Sequence, residues 1–446
     1  MMTQIRWTLA ACVVMAAAGV GYGDDTKTLE ASAKAVSVTL PGAGNEAATF
    51  KTADGKEGWV RKISDEAIPT PAYFKGKIYS GGGYSSRTFV ALNADSGKTV
   101  WTKQTVDNGP TSPVVEGKFL AYNDESCDSE VRDPDTGDLY WNEVTGGTLL
   151  TTPTIAGNAL IIPHPIMQRS SPMADNHFRM LGLILDRLKK GDAKDAKGWD
   201  ADSTSDVLTA PIAAGERFYF TSTDGHMFAM KVATGGCEWL MQGKFTSAPT
   251  IIGDTLAVTT EEKTLTGIKV GILRYDAGDG TLRDAKQLAP TSVSASANLG
   301  QGQGRMVSAP WDYQGPKIAA TKTRMFNAPG NTINAVAVED GKVAWRVEVV
   351  GGTLNNTPGS LTPPALGKEN LYIGTSAGHI LVLKQSDGSL VQAYRVNHKL
   401  ISQPILADGN IYFGTGNGAV LCLKLGNKDA DGWTHWGGNA QRNKVD

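Results

Sequence analysis

The chain has 446 residues, 41% hydrophobic and 20% charged, an ordinary globular balance with enough apolar material for a large core. Its 43 basic and 45 acidic side chains give a formal net charge of -2. With no clustered basic patch in the sequence, nucleic-acid binding is excluded, and Cys12, Cys127, Cys237 and Cys422 outline no disulfide framework.

Residues 1–23 place Arg6 before an apolar run from Trp7 through Val20, with small residues ahead of Asp24. That pattern describes a secretory signal peptide cleaved after Gly23, and so a periplasmic or secreted protein. Leu9-Ala10-Ala11-Cys12 resembles a bacterial lipobox, so lipidation at Cys12 is the alternative and the one route to a membrane. Residues 24–56 are rich in Ala, Thr, Gly and Lys with weak periodicity, and read as a flexible lead-in. Gly58 to Ile63, around Trp59, reads as a lone strand.

From residue 57 to 446 the chain reads as one repeat array. A phrase recurs eight times, opening at Pro71, Pro113, Pro153, Pro211, Pro249, Pro310, Pro364 and Pro404. Each copy has a proline, a short apolar run, a Gly-containing turn and a second apolar run, the pattern of two short strands and a tight turn. Proline has no N–H to give to a ladder and belongs on edge strands. Eight equivalent edges predict a β-propeller, which leaves only short, protected ones.

A second signature follows in many copies. Ala91, Gly97 and Trp101 recur as Ala229, Gly235 and Trp239, and as Ala335, Gly341 and Trp345; Val131 precedes Gly137 and Trp141 at the same spacing. The glycine supplies a turn with positive φ, and the Trp covers the join to the next blade with a large apolar face. The prediction is an all-β, eight-bladed propeller of four-stranded antiparallel blades, strands a to d. Insertions fall at Pro165 to Phe178, Lys189 to Lys197, Ser292 to Arg305 and Gly351 to Thr362. Blade 8 lacks a clear fourth strand. The segment around Trp59 supplies it, so that the two chain ends close the ring, and the stretch from Trp433 to Gly438 either packs on that seam or provides the strand itself.

The Ala-x-Asp-x-x-x-Gly-x-x-x-Trp phrase and the Ser/Thr-x-Pro strand opening resemble the tryptophan-docking repeat of the pyrroloquinoline quinone (PQQ)-like propellers. The resemblance spans about residues 57 to 436. The family includes quinoprotein dehydrogenases and the propeller of the outer-membrane barrel-assembly machine, and this chain looks most like its uncharacterised secreted bacterial members. The resemblance brings PQQ and calcium into view as cofactors. The adjacent cysteines that the catalytic members pair beneath the quinone are absent from this sequence, and no calcium-ligand motif can be placed.

The b–c loops and d–a connections of a propeller emerge on one face. They carry Asp124, Glu125 and Cys127 in blade 2, His164 and His177 in blade 3, His226 in blade 4 and His379 in blade 7. Imidazole, thiolate and carboxylate suit a transition-metal site if they converge. The acidic run from Asp124 to Glu130 reads as a solvated loop, with calcium binding as the alternative. The expected function is a monomeric binding or scaffold module that takes a protein or small-molecule ligand on this loop-rich face. The alternatives are a quinone- or metal-dependent oxidoreductase and a barrel-assembly accessory propeller.

Overall fold

The computed structural model describes residues 26–445 except 43, 125–127, 145–150, 167–176, 189–193, 204–206, 208–209, 265–266, 289–317, 352, 355–356 and 397. Eight antiparallel sheets of four strands form the blades of a propeller. Blade 1 shows the plan, with strand a at Ala72–Phe74, b at Lys77–Gly81, c at Thr88–Asn93 and d at Thr99–Gln104. Blades 2 to 7 span 114–144, 154–203, 212–242, 250–287, 319–350 and 365–395. Strands a, b and c of blade 8 lie at Ile405–Ala407, Asn410–Gly414 and Ala419–Lys424. The strand at Glu57–Lys62 completes it, pairing Trp59 with Cys422.

The Ser/Thr-x-Pro opening has a local cause. The proline cannot continue the a–b ladder, and the hydroxyl two residues earlier accepts the N–H that the ladder leaves behind on strand b. Thr259 N–H donates to Ser247 Oγ at 3.0 Å, Gly374 to Thr362 Oγ1 at 2.9 Å and Gly414 to Ser402 Oγ at 2.7 Å. Blade 6 departs from the expected reading. Its strand a is Ala319–Ala320, so Ile318 holds the proline place; Pro310 lies outside the described residues.

Each Trp of the second signature stands on strand d and reaches the next blade. Trp101 Nε1 donates to Pro134 O at 3.1 Å, Trp239 to Ala277 O at 3.3 Å and Trp345 to Gln385 O at 3.0 Å. Trp59 does the same from blade 8 to Ala94 of blade 1, at 3.0 Å. Gly97 must be a glycine for two reasons: its φ is 68°, and a Cβ there would sit 2.6 Å from the Trp59 ring. Trp141 instead packs in an apolar cluster with Leu183 and Leu185 of blade 3. Gly137, Gly235 and Gly388 meet the rings of Trp101, Trp199 and Trp345 in the same way as Gly97 meets Trp59. Gly341 is different, because blade 5 has no Trp to send. There Arg274 pairs with Asp284 where other blades pair a small residue with Trp, and its guanidinium lies against Gly341 and donates to Val338 O. Blade 3 carries a Trp that the repeat phrase did not reveal. Trp199 packs on Phe218 and donates to Val232 O of blade 4 at 2.8 Å.

Residues 26–51 are not a flexible lead-in. Strand β1 (Thr26–Glu30) adds in parallel to the outer edge of blade 6, and β2 (Ala35–Ser37) does so on blade 7. Strand β3 (Ala48–Lys51) then pairs antiparallel with the Trp59 strand of blade 8. An outer edge is a row of unpaired N–H and C=O groups, and this strap satisfies three such rows in succession.

The segment after blade 8 does not provide a strand of that blade. It winds once around the inner edges of the ring. The Asp429 carboxylate takes Glu369 N–H at 2.6 Å and the Tyr372 hydroxyl at 2.7 Å in blade 7. Trp433 bridges Leu406 of blade 8, and Thr434 O accepts from Tyr73 N–H of blade 1 at 2.7 Å. His435 meets Val115 of blade 2. Ala440 O and Gln441 O take Ile155 and Ala213 N–H of blades 3 and 4, each at 3.0 Å. Asn443 bonds both main-chain groups of Ile251 in blade 5, and Val445 bridges Ala320 of blade 6. In six blades the residue met stands two places after the proline, where strand a turns its backbone toward the channel. Trp433, His435, Trp436 and Arg442 are buried as a result, so this segment fills the channel at the end where the a–b turns lie.

Candidate functional site

With the a–b end filled, the opposite end, where the b–c and d–a connections emerge, is the candidate site. Two hairpins stand above it. In blade 5 strands b and c run as Thr255–Thr264 and Gly267–Asp276, paired along their whole length. In blade 3 they run as Ala159–Ile166 and His177–Ile184. Strand b of blade 4 between them stops at Thr221. Aligned on the a–b turns, the blade 5 arm projects about five residues further, roughly 16 Å at about 3.3 Å per residue, and the blade 3 arm about three residues, roughly 10 Å. The low hairpin of blade 4 is therefore flanked by two tall ones.

The histidines named from the sequence take separate places around this end. His226 opens strand c of blade 4, in the recess between the arms, and its Nδ1 lies 3.0 Å from Asp224 Oδ2. His164 and His177 stand on the facing strands of the blade 3 arm, opposite Arg179 and Ile166 in register. His379 opens strand c of blade 7, across the ring, buried with neither ring nitrogen hydrogen-bonded. Burial first, and the charge of Arg395 second, push its pKa down. The structure does not bring His226 and His379 together. Glu125 and Cys127 lie outside the described residues. Among the described residues no group of three or more His, Cys, Asp or Glu side chains is placed to hold a metal ion.

The described residues of the acidic run in blade 2 are not solvated. Asp124, Asp128 and Glu130 are buried on the face that blade 2 turns to blade 1. Strand alternation puts Asp128, Glu130 and Arg132 on that face, with Tyr122 and Asp124 opposite on strand b. Glu130 accepts from Val106 N–H at 2.6 Å, the Tyr122 hydroxyl at 3.0 Å and Arg132 Nε at 2.7 Å. Asp124 Oδ2 accepts from Asp107 N–H at 3.1 Å. Burial, and then the charge of Glu130, hold the Asp124 carboxyl well above the ordinary carboxylate range. Burial likewise raises Asp128 to about 6.

The a–b side has a feature that the repeat phrase gave no hint of. A groove of about 1100 Å³ crosses blades 3 to 5, between Trp199, Ala214, Arg217, Lys231, Glu238 and Asp276. Ile184 and Trp199 of blade 3 line it, and between them the chain makes two short 3-10 turns, Leu185–Arg187 and Lys194–Ala196.

A quinone with calcium does not fit the residues described. Cys422 is buried on strand c of blade 8 and Cys237 is exposed on strand d of blade 4, so among the described residues neither has a cysteine neighbour. One end of the channel is taken by the chain itself.

The fold is a closed eight-bladed propeller of four-stranded antiparallel blades. The family model described as outer membrane protein assembly factor BamB matches residues 7–158, 89–179, 190–324 and 304–442. The chain belongs to this family of PQQ-like β-propellers. Among solved structures it is similar to BamB from Moraxella catarrhalis, at 13% identity and TM-score 0.56, over 82% of this chain and 98% of that one. It is similar to the quinohemoprotein alcohol dehydrogenase of Comamonas testosteroni at 12% identity and TM-score 0.53, over 83% and 77%. The computationally designed Ika8 protein matches at 14% identity and TM-score 0.59, over 81% and 99%. These likenesses show the fold. No curated protein sequence matches the chain.

Proposed function

We propose that the protein is a secreted or periplasmic scaffold that binds a protein partner on its loop-rich face, seated between the arms of blades 3 and 5. The pair of tall hairpins flanking the low blade 4 carries this reading, since the longer strands wall the lower hairpin on both sides. The filled channel end supports the same face. The family's naming for an outer-membrane assembly factor is in keeping with a protein partner. Secretion is signalled by residues 1–23, and the protein acts as a monomer.

A photo-crosslinking residue placed at Glu262 of the blade 5 arm, or at Asp224, tests this in cells. The expected outcome is a discrete crosslinked protein from both positions and none from Ala233 in the groove. Crosslinks from Ala233 alone would move the binding site to the other side. Alcohol-dependent dye reduction by the purified chain with added PQQ and calcium would replace the scaffold by an oxidoreductase.

A further inference from the structure

The carboxyl groups between blades 1 and 2 outnumber the cations that face them, and three of them, Asp124, Asp128 and Glu130, are shut away from water. Every element around the cluster contributes. Strand b of blade 2 gives Tyr122 and Asp124, strand c gives Asp128, Glu130 and Arg132, and strand d gives Asn142, which donates to Asp128. Residues 105–109, the connection from blade 1, bring Asp107. Blade 1 brings Arg87, whose guanidinium donates to the carbonyls of Thr105 and Val106. Arg132 is engaged by Glu130. Asp124 and Asp128 are 0% and 1% exposed, and each has one carboxyl oxygen with no hydrogen-bond partner among the described residues. A buried carboxylate in that position is strongly unfavourable as an anion and takes up a neutralising charge.

We propose that the Asp124 carboxyl keeps a proton that it donates to Glu130, and that this proton latches the connection between blades 1 and 2 in place. Both carboxyl groups already grip that connection, Glu130 through Val106 N–H and Asp124 through Asp107 N–H. A protonated Asp124 donates its hydroxyl to Glu130, and one negative charge is left for Arg132 to balance. Without the proton two carboxylates face each other in a dry site. Relief then comes from moving the connection outward so that water reaches them. A metal ion would serve the same balance, but the described residues place no three ligating side chains around one point.

The sign follows from linkage. Asp128 is raised to about 6 and Asp124 well above the ordinary carboxylate value. Both groups favour the folded state while protonated. That contribution is present in full below the unfolded carboxylate value and is lost as pH rises through the folded values. Acid keeps the latch shut, and alkali loosens it.

Hydrogen exchange of the intact chain, corrected for intrinsic rates, tests this between about pH 5 and about pH 8. The Val106 and Asp107 amides are expected to lose at least about tenfold in protection at the higher pH, one decade per unit of linked free energy at 1.36 kcal/mol. Asp124→Asn keeps the shape without the charge and should hold them protected throughout. Protection in the natural sequence that ignores pH, or a variant that keeps the full pH response, overturns the proposal. So does calcium chloride restoring protection at the higher pH and EDTA removing it, since a metal ion would then be the neutralising charge. Should the variant fail to fold, infrared spectra of the natural chain decide: a protonated-carboxyl band persisting at neutral pH supports the latch, and its absence overturns it.

Discussion

The two terminal segments hold the same ring from opposite sides and by opposite physics. The strap of residues 26–51 lies on the outside, and β1 is exposed along most of its length while its backbone pairs with blade 6. The segment 429–445 lies inside, with Trp433 and Trp436 each 1% exposed. An exposed ladder contributes little net energy per bond, about 0.5–1.5 kcal/mol. A buried indole removes about 150–250 Å² from water, worth about 4–6 kcal/mol at ~25 cal/mol/Å². The inner segment should therefore dominate stability, and the strap should trim fraying at blades 6 to 8.

Removing residues 429–446 is the severest break of this comparison. It uncovers inner backbone groups in all eight blades and should abolish a single cooperative urea transition; a transition that survives with an unchanged midpoint would mean the inner segment is decorative. Trp433→Ala and Trp59→Ala come next, each expected to cost about 3–5 kcal/mol by chemical denaturation. They ask whether the inner winding and the ring seam matter alike, and Trp101→Ala, at a junction remote from both, gives the reference. Arg442 lies inside the winding and donates to Pro153 O, Ser112 O and Trp436 O, and burial pushes its pKa down to about 9. Arg442→Met strands those carbonyls, at an expected cost of about 1–3 kcal/mol. The smallest effect belongs to the strap. Thr28→Pro removes one rung of β1 and should cost about 1 kcal/mol, seen as faster proteolysis near residue 30 with little change in the unfolding midpoint.

The inner segment also sharpens the comparison through pH. Burial first, and the charge of Arg442 second, push His435 down to about 3, with its Nε2 against Val115. A base with a depressed folded pKa contributes stability that is present above its unfolded value, about 6.5, and is lost as pH falls toward 3. Melting temperature should drop on acidification across that window, and His435→Gln should flatten the slope. The carboxyl cluster at blades 1 and 2 has the opposite sign, so the two contributions are separable by variant.

The propeller was legible because its repeat is written in residues with narrow backbone roles. Proline opens strand a, glycine turns c into d, and Trp covers the next blade. Trp59 could be matched to blade 8 because a ring needs a fourth strand there. The sixth opening is expected at Pro310 but lies at Ile318, which does proline's job without its signature. Trp199 was hidden by the chain diverted ahead of it. The strap was read as loose because three short strands, each pairing with a different blade, leave no period in the sequence. The acidic run from Asp124 to Glu130 reads as a solvated loop because charged residues in a row normally face solvent; in a propeller both faces of a blade meet other blades. The blade 3 arm shows in the sequence as the insertion from Pro165 to Phe178, and the blade 5 arm has no counterpart among the insertions read there.

The inner winding also sets an order of assembly. Its residues follow every blade in the chain, yet they visit blade 7, then 8, then 1 through 6, and residues 57–62 themselves wait for the rest of blade 8. No partial product of synthesis can therefore seat it. Until all eight units exist, each inner rim stays open to chaperones and proteases, and the final stitch distinguishes a finished molecule from a truncated one.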